Sequence, residues 1–212
     1  MKDTTYNILE YLIERYPNLK DIKQDILNAY ILLEDAYKNN KKVLICGNGG
    51  SAADSEHIVG ELMKKFKKPR PIDPHIYDEL SKYGSEGLKL QNTLDGTLRA
   101  ISLTSHIALS TAFSNDKEPK GVFAQSLYGL GESGDILITI STSGNSENCV
   151  LASILAKAMN IKTIALTGEA NSKLSSLCDI TIKAPETEVY KVQELHLPIY
   201  HALCAMLEEE FF

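Results

Sequence analysis

The chain has 212 residues, 43 % of them apolar and 24 % charged, a composition that excludes a disordered or fibrous protein. A chain of this length can bury enough surface in one domain to fold without disulfide or metal staples. Lys and Arg number 22 against 28 Asp and Glu, a formal net charge of −6, which argues against non-specific nucleic-acid binding.

No run of 18 apolar residues is present, so no membrane span is expected, and the polar start Met1–Glu10 does not read as a secretory signal. Cys46, Cys149, Cys178 and Cys204 make no CxxC pair. The expectation is reduced, mostly buried thiols in a cytoplasmic protein.

Ile8, Leu9, Leu12, Ile13 and Tyr16 recur at helical spacing up to Pro17, and Ile22, Ile26, Tyr30, Leu33 and Tyr37 resume the period. Residues 1–40 therefore read as two helices. The apolar run Lys42–Cys46 reads as a buried strand feeding a glycine-rich turn. Further strands are expected near 99–103, 135–140, 162–166 and 179–182. Helices are expected near 51–66, 119–130, 146–159 and 171–177, with a long one over 187–209 that Pro198 should kink. Strands alternating with helices imply parallel strands joined by crossovers. The expected fold is α/β, a three-layer α/β/α sandwich around a mostly parallel sheet, forming a single domain over residues 1–212.

The segment 67–98 fits this alternation poorly. It carries Pro69, Pro71, Pro74, Gly84, Gly87 and Gly96, and it is long for a connection. It reads as an insertion, either a surface embellishment or a lid or interface arm, with a short helix near Tyr77–Tyr83. Lys64, Lys65, Lys67, Lys68 and Arg70 at its start read as a solvated helix end, with steering of an anionic substrate as the alternative.

Two strand-to-helix loops carry the chemistry. Gly47-Asn48-Gly49-Gly50-Ser51 allows close backbone approach to a ligand at a helix N-terminus. Ala52 stands where a dinucleotide fingerprint needs its third glycine, and no P-loop lysine follows, so no nucleotide cofactor is expected. The second loop, Ser141-Thr142-Ser143-Gly144-Asn145-Ser146, offers four hydroxyls at another helix N-terminus. Such donors suit a phosphate monoester. A single helix cap would account for one serine and not for all four.

The helix after the first loop places His57 and Glu61 four residues apart, on one face. The last helix sets Gln193, Glu194, His196 and His201 among apolar residues. Polar groups in a buried helix need partners or a purpose, and His196 reads as structural.

In this order, the loop Gly47–Asp54, His57 with Glu61, the pair Asn115-Asp116, the loop Ser141–Ser146, and Gln193 with His201 resemble the phosphoheptose isomerases of the sugar-isomerase (SIS) domain family. The resemblance runs from about Lys41 to the C-terminus, apart from 67–98. It implies that Asn48, Gly49, Gly50, Ser51, Glu61, Asn115, Asp116 and Gln193 contact a phosphorylated sugar and that Ser141, Thr142, Ser143 and Ser146 hold its phosphate. It implies Glu61 as general base and His201 as acid–base partner in converting sedoheptulose 7-phosphate to an aldoheptose 7-phosphate. It further implies Zn2+ held by His57, Glu61, Gln193 and His201, and a homotetramer with sites shared between subunits.

Gln193 and His201 lie about 12 Å apart along an ideal helix and about 80° around it. Either Pro198 brings them together or they serve sites from different subunits. Two departures stand out. His106 occupies a position where many relatives have Asp, and 67–98 is longer than usual. The remaining alternatives are a non-catalytic SIS module and a SIS enzyme acting on another phosphosugar.

Overall fold

The computed structural model describes residues 1–212. Five strands, β1 (Val43–Gly47), β2 (Ala100–Ser102), β3 (Ile136–Ile140), β4 (Lys162–Gly168) and β5 (Ile180–Ala184), make one sheet of order β2-β1-β3-β4-β5. Every pairing is parallel, with Val43 opposite both Ala100 and Ile136. The strand order reverses between β1 and β3. At that point the crossovers leave on opposite sides of the sheet and open a crevice at the strands' carboxyl ends.

Both faces of the sheet are covered, which is why β1 and β3 are buried along their length and carry a single polar side chain, Thr139. Alternate residues divide between two cores. Val43, Ile45, Ile136, Ile138, Ile140, Ile164 and Leu166 face α1 (Asp3–Arg15), α2 (Lys23–Lys38), α3 (Gly50–Met63) and α10 (Val189–Phe211). Leu44, Cys46, Leu137 and Ala165 face α7 (Val122–Leu130), α8 (Glu147–Ala158) and α9 (Lys173–Leu177). This is the expected three-layer sandwich.

The helix boundaries differ in places. The helix expected over 51–66 stops at Met63, where Lys64 turns extended. The segment 67–98 forms two short helices in place of one near 77–83: α4 (Pro74–Leu80), capped by the Asp73 carboxylate, and α5 (Gly84–Thr93). A further helix, α6 (Ile107–Asp116), was not anticipated because none of its residues is buried, and it shows no apolar stripe. Helix α10 runs unbroken through Pro198. The four cysteines are free, with Cys46, Cys149 and Cys204 buried.

The basic cluster at 64–70 is also corrected in part. Arg70 is not a solvated or steering cation, because its guanidinium is buried against Glu208, with Nε 2.8 Å from Oε1. Its other nitrogens donate to the carbonyls of Leu62 (2.7 Å) and Glu61 (2.8 Å), closing the C-terminal end of α3. Glu208 also accepts from the backbone N–H groups of Phe66, Lys67 and Lys68. Burial would raise the pKa of Glu208, but these N–H groups and Arg70 outweigh it and hold the carboxyl below its usual range.

Candidate active site

The two loops leave the carboxyl ends of neighbouring strands, since Gly47 of β1 pairs with Ile140 of β3. Reciprocal amide hydrogen bonds of 2.9 and 2.8 Å between Asn48 and Asn148 tie the first loop to the start of α8. Asn148 had no signal in the sequence reading, because the pair forms only when the two loops meet. Gly49 adopts φ +56°, in the region that favours glycine. Ser51 is buried and its N–H donates to the Asn48 carbonyl.

In the second loop Gly144 has φ +63°, and a Cβ there would lie 2.1 Å from Ser172 Oγ. That glycine folds the loop back under the N-terminus of α8. Ser146 occupies the N-cap position but caps nothing. Its hydroxyl instead lies 2.9 Å from that of Ser141. Ser143 is exposed and Thr142 half-buried. A pair of hydroxyls beside an uncapped helix N-terminus is a cradle for an anion.

Gln193 closes the other side of the first loop, with Nε2 2.8 Å from where a Cβ on Gly50 would stand. Asn115 donates its side-chain amide to the Asp116 carboxylate at 2.8 Å, at the exposed end of α6.

A second cluster lies further along α3. His57 Nε2 is 3.2 Å from Glu61 Oε1 and 3.4 Å from His201 Nε2. The Glu61 side chain is 13 % exposed, and its Oε2 is buried with no hydrogen-bond partner; Lys64 Nζ lies 3.6 Å away. Burial lowers the pKa of His201, His57 beside it acts in the same direction, and Glu61 opposes both. Behind His57 the Tyr200 hydroxyl lies 3.0 Å from Nδ1 and donates to Asp54 Oδ1 at 3.1 Å. Neither Tyr200 nor Asp54 was singled out in the sequence. Asp54 does precede His57 and Glu61 by three and seven residues on the same helix face.

Contacts of α3 and the residues just after it with α10 keep a nearly constant offset of 142–144 positions: Gly50 with Gln193, His57 with Tyr200 and His201, and Phe66 with Glu208. The two helices therefore run parallel, side by side. Within one chain this register gives Gln193 to the first loop and His201 to His57 and Glu61. In one chain the four residues expected to hold a metal are divided, with Gln193 against Gly50 and the other three together further along α3. His196 is structural as read: fully buried, it donates Nε2–H to the Thr167 carbonyl at 3.2 Å, and burial lowers its pKa to about 4.

Residues 100–207 match the SIS domain family, and residues 10–95 match a second SIS domain family. A phosphoheptose isomerase from Nitratiruptor sp. is 38 % identical, over 91 % of this chain and 89 % of its own. Another, from Akkermansia muciniphila, is 31 % identical over 100 % of this chain and 99 % of its own. The chain belongs to the phosphoheptose isomerase family. The structure of a phosphoheptose isomerase from Francisella tularensis superposes with a TM-score of 0.72 at 28 % identity, covering 99 % of this chain and 100 % of that one. This phosphoheptose isomerase family member is accordingly an isomerase built on the SIS fold, and none of its helices is long and apolar enough to cross a membrane.

Proposed function

We propose that this isomerase interconverts sedoheptulose 7-phosphate and D-glycero-D-manno-heptose 7-phosphate through an enediol(ate). The observation that carries the proposal is the meeting of Glu61, His57 and His201 on α3 and α10, together with the hydroxyl loop at the switch point of the sheet. An aldose–ketose shift needs one base at carbon and one group exchanging protons between the neighbouring oxygens. Glu61 takes the proton from C1 and returns it at C2. His201, with a pKa lowered by burial, shuttles the proton between O1 and O2. Ser141, Thr142, Ser143 and Ser146 hold the phosphate as a handle. Asn48, Gly49, Gly50, Ser51, Asn115, Asp116 and Gln193 line the sugar.

The donor set suits Zn2+. Adjacent corners of a tetrahedral zinc site lie about 3.4 Å apart, the spacing His57 Nε2 makes with His201 Nε2 (3.4 Å) and nearly that with Glu61 Oε1 (3.2 Å). The unpartnered Glu61 Oε2 leaves acceptor capacity over. When bound there, zinc supplies polarisation of the substrate carbonyl.

The register of α3 and α10 supports sites shared between subunits of a homotetramer. Eleven residues of helix, about 16 Å of rise, separate Gly50 from Glu61, and Gln193 stays at the Gly50 end. A neighbouring copy can bring its loop end to the acid–base end of this one. Both family matches fall on one continuous sheet, which supports one domain over 1–212. The free cysteines suit a reducing compartment, the cytoplasm.

The test is NMR of the protein with sedoheptulose 7-phosphate in D2O, with and without added Zn2+. An aldoheptose 7-phosphate carrying deuterium at C2 is expected. Binding without turnover would overturn the proposed substrate.

A further inference from the structure

We propose that Tyr200 and Asp54 form a positioning relay that keeps a proton on His57 Nδ1 and leaves Nε2 as the nitrogen that binds within the site. The Tyr200 hydroxyl has two neighbours, Asp54 Oδ1 at 3.1 Å and His57 Nδ1 at 3.0 Å. A hydroxyl carries one proton, and an ionised carboxylate only accepts. The Tyr200 proton therefore goes to Asp54, and toward His57 the phenolic oxygen can only accept. Nδ1 must then carry the ring proton. In the neutral imidazole, Nε2 is left with its lone pair.

That lone pair faces Glu61 Oε1 at 3.2 Å and His201 Nε2 at 3.4 Å. A lone pair opposite a carboxylate oxygen is repulsive unless a proton or a cation lies between them. The relay therefore decides which nitrogen of His57 meets that proton or cation. The ring of Tyr200 is itself fixed. It is 2 % exposed and packs edge-on against His57 (5.6 Å between centroids) and His201 (5.0 Å). Removing only the hydroxyl leaves this packing in place and severs the relay. Ligating histidines are oriented in this way by an acceptor on their second nitrogen. The consequence for zinc rests on the zinc site proposed above; the state of the His57 ring does not.

The experiment is a long-range 1H–15N correlation spectrum of metal-free protein labelled on histidine nitrogen, at pH 8, with the His57 signals assigned by their loss in His57→Gln. Wild type is expected to show His57 protonated on Nδ1. Tyr200→Phe removes the acceptor and should bring in the Nε2–H form. Asp54→Ala frees the Tyr200 proton to turn toward Nδ1 and should do the same, which covers the case that either variant folds poorly. Competition with a chromophoric chelator should show zinc held about 10–100-fold more weakly by Tyr200→Phe. A His57 ring bare on Nδ1 in wild type, or an unchanged Nδ1–H ring in both variants, would overturn the relay. Wild type with the expected ring state, lost in the variants, but with no zinc uptake would uphold the relay and remove the zinc site.

Discussion

His57 and His201 stand 144 positions apart in the chain, yet their Nε2 atoms lie 3.4 Å from each other. Helices α3 and α10 run parallel in fixed register, pinned at one end by Gln193 on Gly50 and at the other by Glu208 accepting from Phe66 and Arg70. Glu61, on the last turn of α3, is held by that same anchorage. Its backbone carbonyl accepts from Arg70, and its carboxylate meets His57.

If Glu61 is the base, Glu61→Gln keeps the volume and loses the chemistry. Turnover should fall about 10²–10⁴-fold while sugar-phosphate affinity, measured by calorimetry, stays within a few-fold of wild type. Undiminished turnover would remove Glu61 from that role.

Ser143→Ala combined with Ser146→Ala should act mainly on binding. Each lost hydrogen bond to a charged phosphate removes about 1.5–3 kcal/mol, so KM should rise far more than kcat falls. Steady-state kinetics on the double variant distinguishes this from a phosphate bound elsewhere, for which KM would not move.

Gly144→Ala should destabilise the loop itself. Its φ of +63° is strained for alanine, and the new Cβ would lie 2.1 Å from Ser172 Oγ. A cost of about 1–3 kcal/mol should appear as a lowered melting temperature, accompanied by weaker phosphate binding because Ser143 and Ser146 flank the turn.

Arg70→Met should be among the most destabilising single changes. It leaves the buried Glu208 carboxylate with backbone N–H donors but no counter-charge, and frees two carbonyls at the end of α3. Removing one member of a buried pair costs about 3–5 kcal/mol. Arg70→Lys should restore little of the loss in chemical denaturation, since one ammonium cannot reproduce the planar fork.

His196 gives stability a pH dependence. Its folded pKa of about 4 lies below the ordinary 6.5 because burial disfavours the imidazolium; the hydrogen bond to the Thr167 carbonyl opposes this only in part. Between those values the unfolded chain binds more protons, so stability should fall as pH drops from about 6.5 to 4. Denaturation curves across that window should show the slope in wild type. The slope should flatten in His196→Gln.

Much of the fold was legible because burial on both faces of a sheet leaves runs that are almost wholly apolar, such as Ile136–Ile140, and those runs are set by sequence. The two loops were legible for a related reason, since glycines and hydroxyls at a strand-to-helix junction have a local explanation. Helix α6 was missed because none of its residues is buried, so no periodicity marks it. Arg70 was misjudged because a cluster of like charges shows nothing of the acceptors supplied from α10.

The sequence by itself determined the layer order, the phosphate-type loop and the pairing of His57 with Glu61, all of which follow from residues close together in the chain. Only the tertiary structure decided that His201 completes that pair, that Gln193 goes to Gly50, and that Tyr200 and Asp54 stand behind His57. Those contacts depend on the register between two parallel helices more than a hundred residues apart, and that register is set by side-chain packing over their whole length and by no local pattern in either helix.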